Sequence, residues 1–313
     1  MKKNICSGFV LVTIVILTIN IFIKSAYLTD IIVFSVNLFI RNVFPSLFPM
    51  FIISYILIEI GIPDFLGSIF NKVFSCLFKC SGYSSFVFFM SMMTGFPSNA
   101  KYINDLINNE KIDVLEGEKI LKFTFFSNPL FVINTVGISF FNNKMIGLNI
   151  FIALLIGNII TGLLFRNNIK SSKRNISFFS FKDLINRINN TNIFKTVLIG
   201  IQNSLETLIN IFGILVFCLI LIVFICKNPH TCSEIFISGV IEMTSGLKYL
   251  SISILPLNIK IIISTFFLAF GGFSIHAQII NILKEKKAKY LPFLKARIIH
   301  ALISSFIIYQ LYG

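Results

Sequence analysis

Residues 144–165, KMIGLNIFIALLIGNIITGLLF, carry a single charged side chain, Lys144, at their first position. An α-helix of that length rises roughly 33 Å, and the hydrocarbon core of a bilayer is about 30 Å thick. Comparable apolar runs occur at 5–23, 193–226 and 293–311. Only helices or closed barrels satisfy their backbone groups in lipid, and runs of this length are helical. The chain therefore reads as an all-α polytopic membrane protein. Composition agrees: 56% of the 313 residues are hydrophobic and 13% charged, where a soluble domain carries about a quarter charged.

The formal charge of +14 raises the question of nucleic acid. In a membrane protein, Lys and Arg collect in cytoplasmic loops, so the expected partner is lipid and no nucleic acid. Cys76 and Cys80 lack neighbouring His or acidic residues, which argues against a metal. No nucleophile elbow, zinc-protease or Walker A sequence is present. No cofactor and no enzymatic activity are expected. Met1-Lys2-Lys3 ahead of 5–23 resembles a signal peptide. The apolar run is long for one, and Lys24-Ser25-Ala26 is a poor cleavage site, so a retained helix is expected.

Breakers then divide the chain. The stretch 31–60 holds Asn37, Arg41, Pro45 and Pro49 and is expected to be kinked. Residues 65–79 are amphipathic and suit the interface. Polar interruptions fall within 83–107, 116–141, 232–254 and 258–283, and the first, second and last of these could each span or re-enter. About eight membrane segments are expected. The expected organisation is an N-terminal transmembrane helix (1–30), a first repeat (31–165), a basic cytoplasmic connector (166–192) and a second repeat (193–313).

The repeat rests on a shift of 177 residues. It lays FMSMMTGFPSNAKYINDL (89–106) on FFLAFGGFSIHAQIINIL (266–283), with seven of eighteen positions identical. Charge adds an orientation. The loop 101–122 is net −1 and the loop 284–297 is net +5. If basic loops stay inside, the copies face opposite sides, as inverted-topology repeats with broken helices do.

A break at membrane depth frees backbone groups that must face protein or a water-filled cavity. At the first break Gly95 and Pro97 provide the turn, and Ser98 and Asn99 can cap the resuming helix. The alternative is that this helix N-terminus, with Ser98, Asn99 and Lys101, meets a ligand. At the second break Gly272 precedes His276 and Gln278, candidates for ligand contact or proton transfer. Ser127-Asn128-Pro129 interrupts the segment after the first break, and Glu242 places a carboxylate before the second. Thr94, Ser127, Asn128, Glu242, Thr244 and Ser274 complete the candidate solute contacts.

With TGFPSNAK (94–101), FFSNPLF (125–131), EMTSG (242–246) and FGGFSIHAQ (270–278) in this order, the sequence resembles the YlbJ-type sporulation integral membrane proteins. That group belongs to the nucleoside-recognition, or Gate-domain, family, so both repeats would be Gate-like. The resemblance implies a bacterial cytoplasmic-membrane protein that endospore formers need for resistant spores, through the cortex. It also implies kinship with nucleoside transporters, although their acidic-Ala-Pro signature is absent from the second half. Gly95, Pro97, Ser98, Asn99, Lys101, Asn128, Glu242, Gly272, His276 and Gln278 match the motif positions. The leading expectation is a transporter-like protein for a small polar or anionic solute. The alternative is a membrane scaffold for sporulation proteins, with homo-oligomers also conceivable.

Overall fold

A computed structural model describes Thr18 and residues 25–167, 178–226 and 231–313. The expected first helix at 5–23 lies outside the described residues, as does part of the connector. Helix α1 (Ser25–Leu38) passes through a π-helical turn (Phe39–Val43) into α2 (Phe44–Glu59). Pro45 occupies the first turn of α2, where its missing N–H is harmless, and Pro49 stands inside the helix. Leu28–Arg41 and Phe44–Glu59 meet at 45° and together are long and apolar enough for one bent crossing. The expected kink is present. Amphipathic α3 (Ile62–Leu77) buries Asp64 and Phe74 and exposes Ile69 and Val73.

The segment carrying the first break does not cross. Helices α4 (Tyr83–Thr94) and α5 (Ser98–Asn108) fold into a hairpin. The Tyr83 hydroxyl, at the start of α4, donates to Asp64 Oδ1 at 2.9 Å. Lys111, just past α5, donates to both oxygens of the same carboxylate at 2.6 and 2.7 Å. Both legs therefore meet at one end of the molecule, here the first face. Midway along α5, Tyr102 lies 6.0 Å from the Phe86 ring of α4 and donates to Thr94 at 3.1 Å. At 1.5 Å per residue, the legs reach roughly half of the bilayer core.

From the first face, α6 (Val114–Ile120) leads into an unwound stretch that runs inward past the hairpin tip, where Phe96 N donates to Phe126 O at 2.7 Å. A π-helical segment (Phe131–Phe140) continues to the second face, and α7 (Lys144–Phe165) returns beside it. Short α8 (Phe181–Asn190) sits on the first face, where Arg187 joins Asp64 at 3.0 Å. Helix α9 (Ile193–Ile225) runs antiparallel to the bent crossing, with Gly200 near Tyr55, and Leu219 and Ile222 clustered with Leu28 and Ile31.

Helices α10 (Cys232–Ile241) and α11 (Met243–Ile252) form a second hairpin turned at the single extended residue Glu242. A Cβ on Gly246 would lie 2.1 Å from the Cα of Gly239, seven positions earlier. In a straight helix those positions would be about 10 Å apart. This hairpin opens to the second face, where Ser245, Lys248 and Tyr249 adjoin Asp30 and Ile222. Helices α12 (Leu257–Phe270) and α13 (Gly272–Ile282) then form one span broken at Gly271, and α14 (Tyr290–Tyr312) crosses back.

Among the described residues, four helices are long and apolar enough to cross a membrane, and the bent pair counts as a fifth when taken as one span. Two expectations are corrected. The segments paired by the 177-residue shift have different folds: 83–108 is a hairpin and 257–282 a broken crossing. The loops after them also share a face, because Lys286 bonds Asn108 and Lys289 N donates to Glu118 at 2.7 Å. Their opposite charge therefore does not mark separation by the bilayer.

Candidate functional site

The two hairpin tips, the unwound stretch after the first of them, the helix that follows the Gly271 break and the π-helical kink converge on one cavity of about 460 Å³, within the roughly 300–1,000 Å³ range of small-molecule sites. The first tip contributes Thr94, Phe96 and Pro97, and the stretch after it Asn128, Leu130, Phe131, Asn134 and Thr135. The second tip contributes Glu242, Met243 and Thr244, and α13 contributes Ile275 and Gln278. Arg41, Val43 and Ser46 come from the kinked crossing, and Ile211 and Leu215 from α9. Arg41 is the cation of this lining and Glu242 the acid.

Local chemistry shapes the first tip. Gly95 holds φ at 81°, and a Cβ there would stand 2.6 Å from Asn128 N. Only glycine allows both this backbone and this approach. Asn128 ties three pieces together: Nδ2 donates to Ser46 at 3.2 Å and to Thr94 O at 3.3 Å, while Oδ1 accepts from Leu130 N at 2.8 Å. The expected cap by Ser98 or Asn99 is absent. Both residues fall inside the first turn of α5, and Pro97 holds the cap position. Asn99 is fully buried, and neither atom of its amide has a partner. Lys101 does not reach the cavity lining; it forms a buried ion pair with Asp105 at 2.7 Å.

At the second tip the roles reverse. Glu242 caps α11, its two oxygens accepting from Thr244 N at 3.1 Å and Ser245 N at 2.7 Å. A carboxylate at a helix N-terminus is favoured by these orphan donors and by the dipole. Gly272, φ 71°, packs on the backbone of Gly239, Ile241 and Met243. Gln278 faces the cavity, donates to Ser274 at 3.4 Å, and leaves Oε1 without a partner.

Two candidates serve the breaks from behind. Ser127 donates to Leu268 O at 3.1 Å. His276 places Nε2 2.8 Å from Phe270 O, a carbonyl freed at the break, and Nδ1 2.9 Å from the Tyr290 hydroxyl. The natural tautomer donates from Nε2 to the carbonyl and accepts from Tyr290 at Nδ1.

Thr94, Pro97, Asn128, Glu242, Thr244 and Gln278 thus line the cavity, whereas Gly95, Ser98, Asn99, Lys101, Ser127, Gly272, Ser274 and His276 lie behind or beside it. Sequence reasoning missed Ser46, Asn134 and Thr135, and took Arg41 only as a mark of a kink. A charged residue in an apolar crossing was the available signal for Arg41.

No family model matches the chain, and no solved structure matches it. It is similar to the sporulation integral membrane protein YlbJ of Bacillus subtilis (strain 168), with 31% identity over 294 residues that cover 84% of this chain and 72% of that protein. The chain belongs to the YlbJ family of sporulation integral membrane proteins.

Proposed function

We propose that this protein binds a small polar solute in the central cavity and carries it across the membrane during spore formation, in service of the cortex. The observation that carries the reading is the convergence of both hairpin tips and both broken segments on that cavity. Amides from Asn128, Asn134 and Gln278, hydroxyls from Ser46, Thr94, Thr135 and Thr244, and the Arg41 guanidinium supply hydrogen-bonding groups.

The two hairpins enter from opposite faces, and each precedes a broken crossing and then an intact one. This supports two inverted-topology repeats, with the Thr94–Ser98 tip equivalent to the Ile241–Thr244 tip and the unwound 124–128 equivalent to Gly271. The net +5 stretch 284–297 begins on the first face, and Arg187 of the basic connector sits there too. By the positive-inside bias, the first face is cytoplasmic and the membrane is the cell membrane. Alternating access would follow from movement of one hairpin at a time.

The test is binding to purified protein and uptake into liposomes, with nucleosides, cell-wall precursors and small anions as solutes. A Gln278→Ala, Asn134→Ala double variant is expected to lose flux while remaining folded. Flux equal to the unsubstituted protein for every solute would remove this reading. If the same variant at normal levels also supported full spore resistance, a scaffold would explain the family better.

A further inference from the structure

Behind the aromatic wall of the cavity lies a buried cation. Arg297, in α14, is fully buried inside an apolar crossing. Its guanidinium bonds Lys122 O and donates to His300 Nδ1 at 3.0 Å, and Asn158 Oδ1 lies 3.5 Å away. His300 Nε2 is 3.0 Å from Leu154 O, and its Nδ1, besides facing Arg297, is 3.2 Å from Ala269 O. None of the ion pairs among the described residues includes Arg297, and its Nε has no partner. The groups around the cation are a carbonyl, an amide and an imidazole, and none of them is a carboxylate.

Its position relative to the cavity follows from ring contacts. Phe96 lines the cavity and stacks on Phe125 with centroids 4.5 Å apart. The Arg297 carbon Cζ stands 4.5 Å from the Phe125 centroid. Only apolar rings therefore separate the charge from the cavity, and guanidinium stays protonated at any physiological pH. A solute beyond the Phe96 ring would be about 12 Å from this charge, where a unit charge at an effective dielectric near 20 shifts the equilibrium of a charged solute on the order of tenfold.

We propose that Arg297 is a specificity-determining residue: its fixed charge biases the cavity towards solutes that carry an anionic group, with Arg41 as the contact cation. This rests on the cavity being the solute site, and it narrows the solute class. The experiment reads the potential directly and needs no solute. A Thr135→Cys reporter on the cavity wall is reacted with anionic 2-sulfonatoethyl and cationic 2-(trimethylammonio)ethyl methanethiosulfonate. Each rate is divided by that for free cysteine and corrected with the same chain lacking the reporter.

The normalised anionic-to-cationic ratio should fall at least tenfold in Arg297→Gln and stay unchanged in Arg297→Lys. An unchanged ratio in folded Arg297→Gln protein overturns the proposal. Should Arg297→Gln not fold, an Arg41→Gln, Glu242→Gln double variant, which removes both charges of the lining and leaves Arg297 intact, decides. A continued preference for the anionic reagent supports the buried charge, and a preference for the cationic one overturns it. Either result stands apart from solute uptake, which tests the site itself.

Discussion

The tips of the two hairpins meet at one cavity but are built from opposite materials. The first turns on Gly95, Phe96 and Pro97, has no side-chain cap, and buries the Asn99 amide without a partner. The second turns on Glu242 alone, whose carboxylate takes up two backbone donors. The second tip is self-satisfied, while the first keeps polar groups unused. An unmade buried hydrogen bond costs about 1–3 kcal/mol, so such groups persist where they serve something other than stability. The two tips thus satisfy their polar groups differently: the second within its own turn, the first through Asn128 from the neighbouring stretch.

The comparison can be broken at several points. The largest effect is expected at Lys101, because Lys101→Met leaves Asp105 buried and unpaired. That should lower stability in detergent by about 3–5 kcal/mol, with most of it recovered in a Lys101→Met, Asp105→Leu double variant. Failure of the double variant to recover would show that Lys101 has a role beyond its partner. Next, Gly95→Ala forces a Cβ against Asn128 in a left-handed backbone, and Gly246→Ala forces one against Gly239. Each should cost about 2–4 kcal/mol by thermal unfolding. A stable Gly246→Ala protein would mean the second hairpin is looser than its glycine pair implies.

Glu242→Ala removes the cap and should cost about 1–2 kcal/mol, with Glu242→Asp or Gln losing less. The smallest change in stability is expected for Asn99→Ala, which deletes an unpartnered amide and should be neutral or slightly stabilising. A loss above about 1 kcal/mol there would erase the contrast between the tips. Solute binding, if it weakens in Asn99→Ala while stability holds, would sharpen it.

Some of the site was visible beforehand. Gly95 with Pro97, Ser127-Asn128-Pro129, and Glu242 in an apolar run each marked a true interruption, because few residue types interrupt a membrane helix and each does so for a local steric or polar reason. What failed was the pairing of those interruptions. Phe, Gly and Ala recur at 89–106 and 266–283, yet one segment folds back at Pro97 and the other continues past Gly271. A largely apolar helix of 12 or 14 residues before a break suits either path. The charge argument failed for a related reason: Glu118 meets the backbone of Lys289, so the acidic loop and the basic loop are neighbours.

By itself, the sequence determined that this chain is helical and crosses a membrane several times, since 144–165, 193–226 and 293–311 admit no other solvent for their length of apolar surface. It also determined where helices stop. Only the tertiary structure decided which stops are turns back and which are mere breaks, that Lys101 is paired and Glu242 is a cap, and that Arg41, Asn134 and Thr135 share a cavity with Gln278. Those outcomes depend on which polar group finds a partner across the packed helices, and no local pattern of residues encodes that choice.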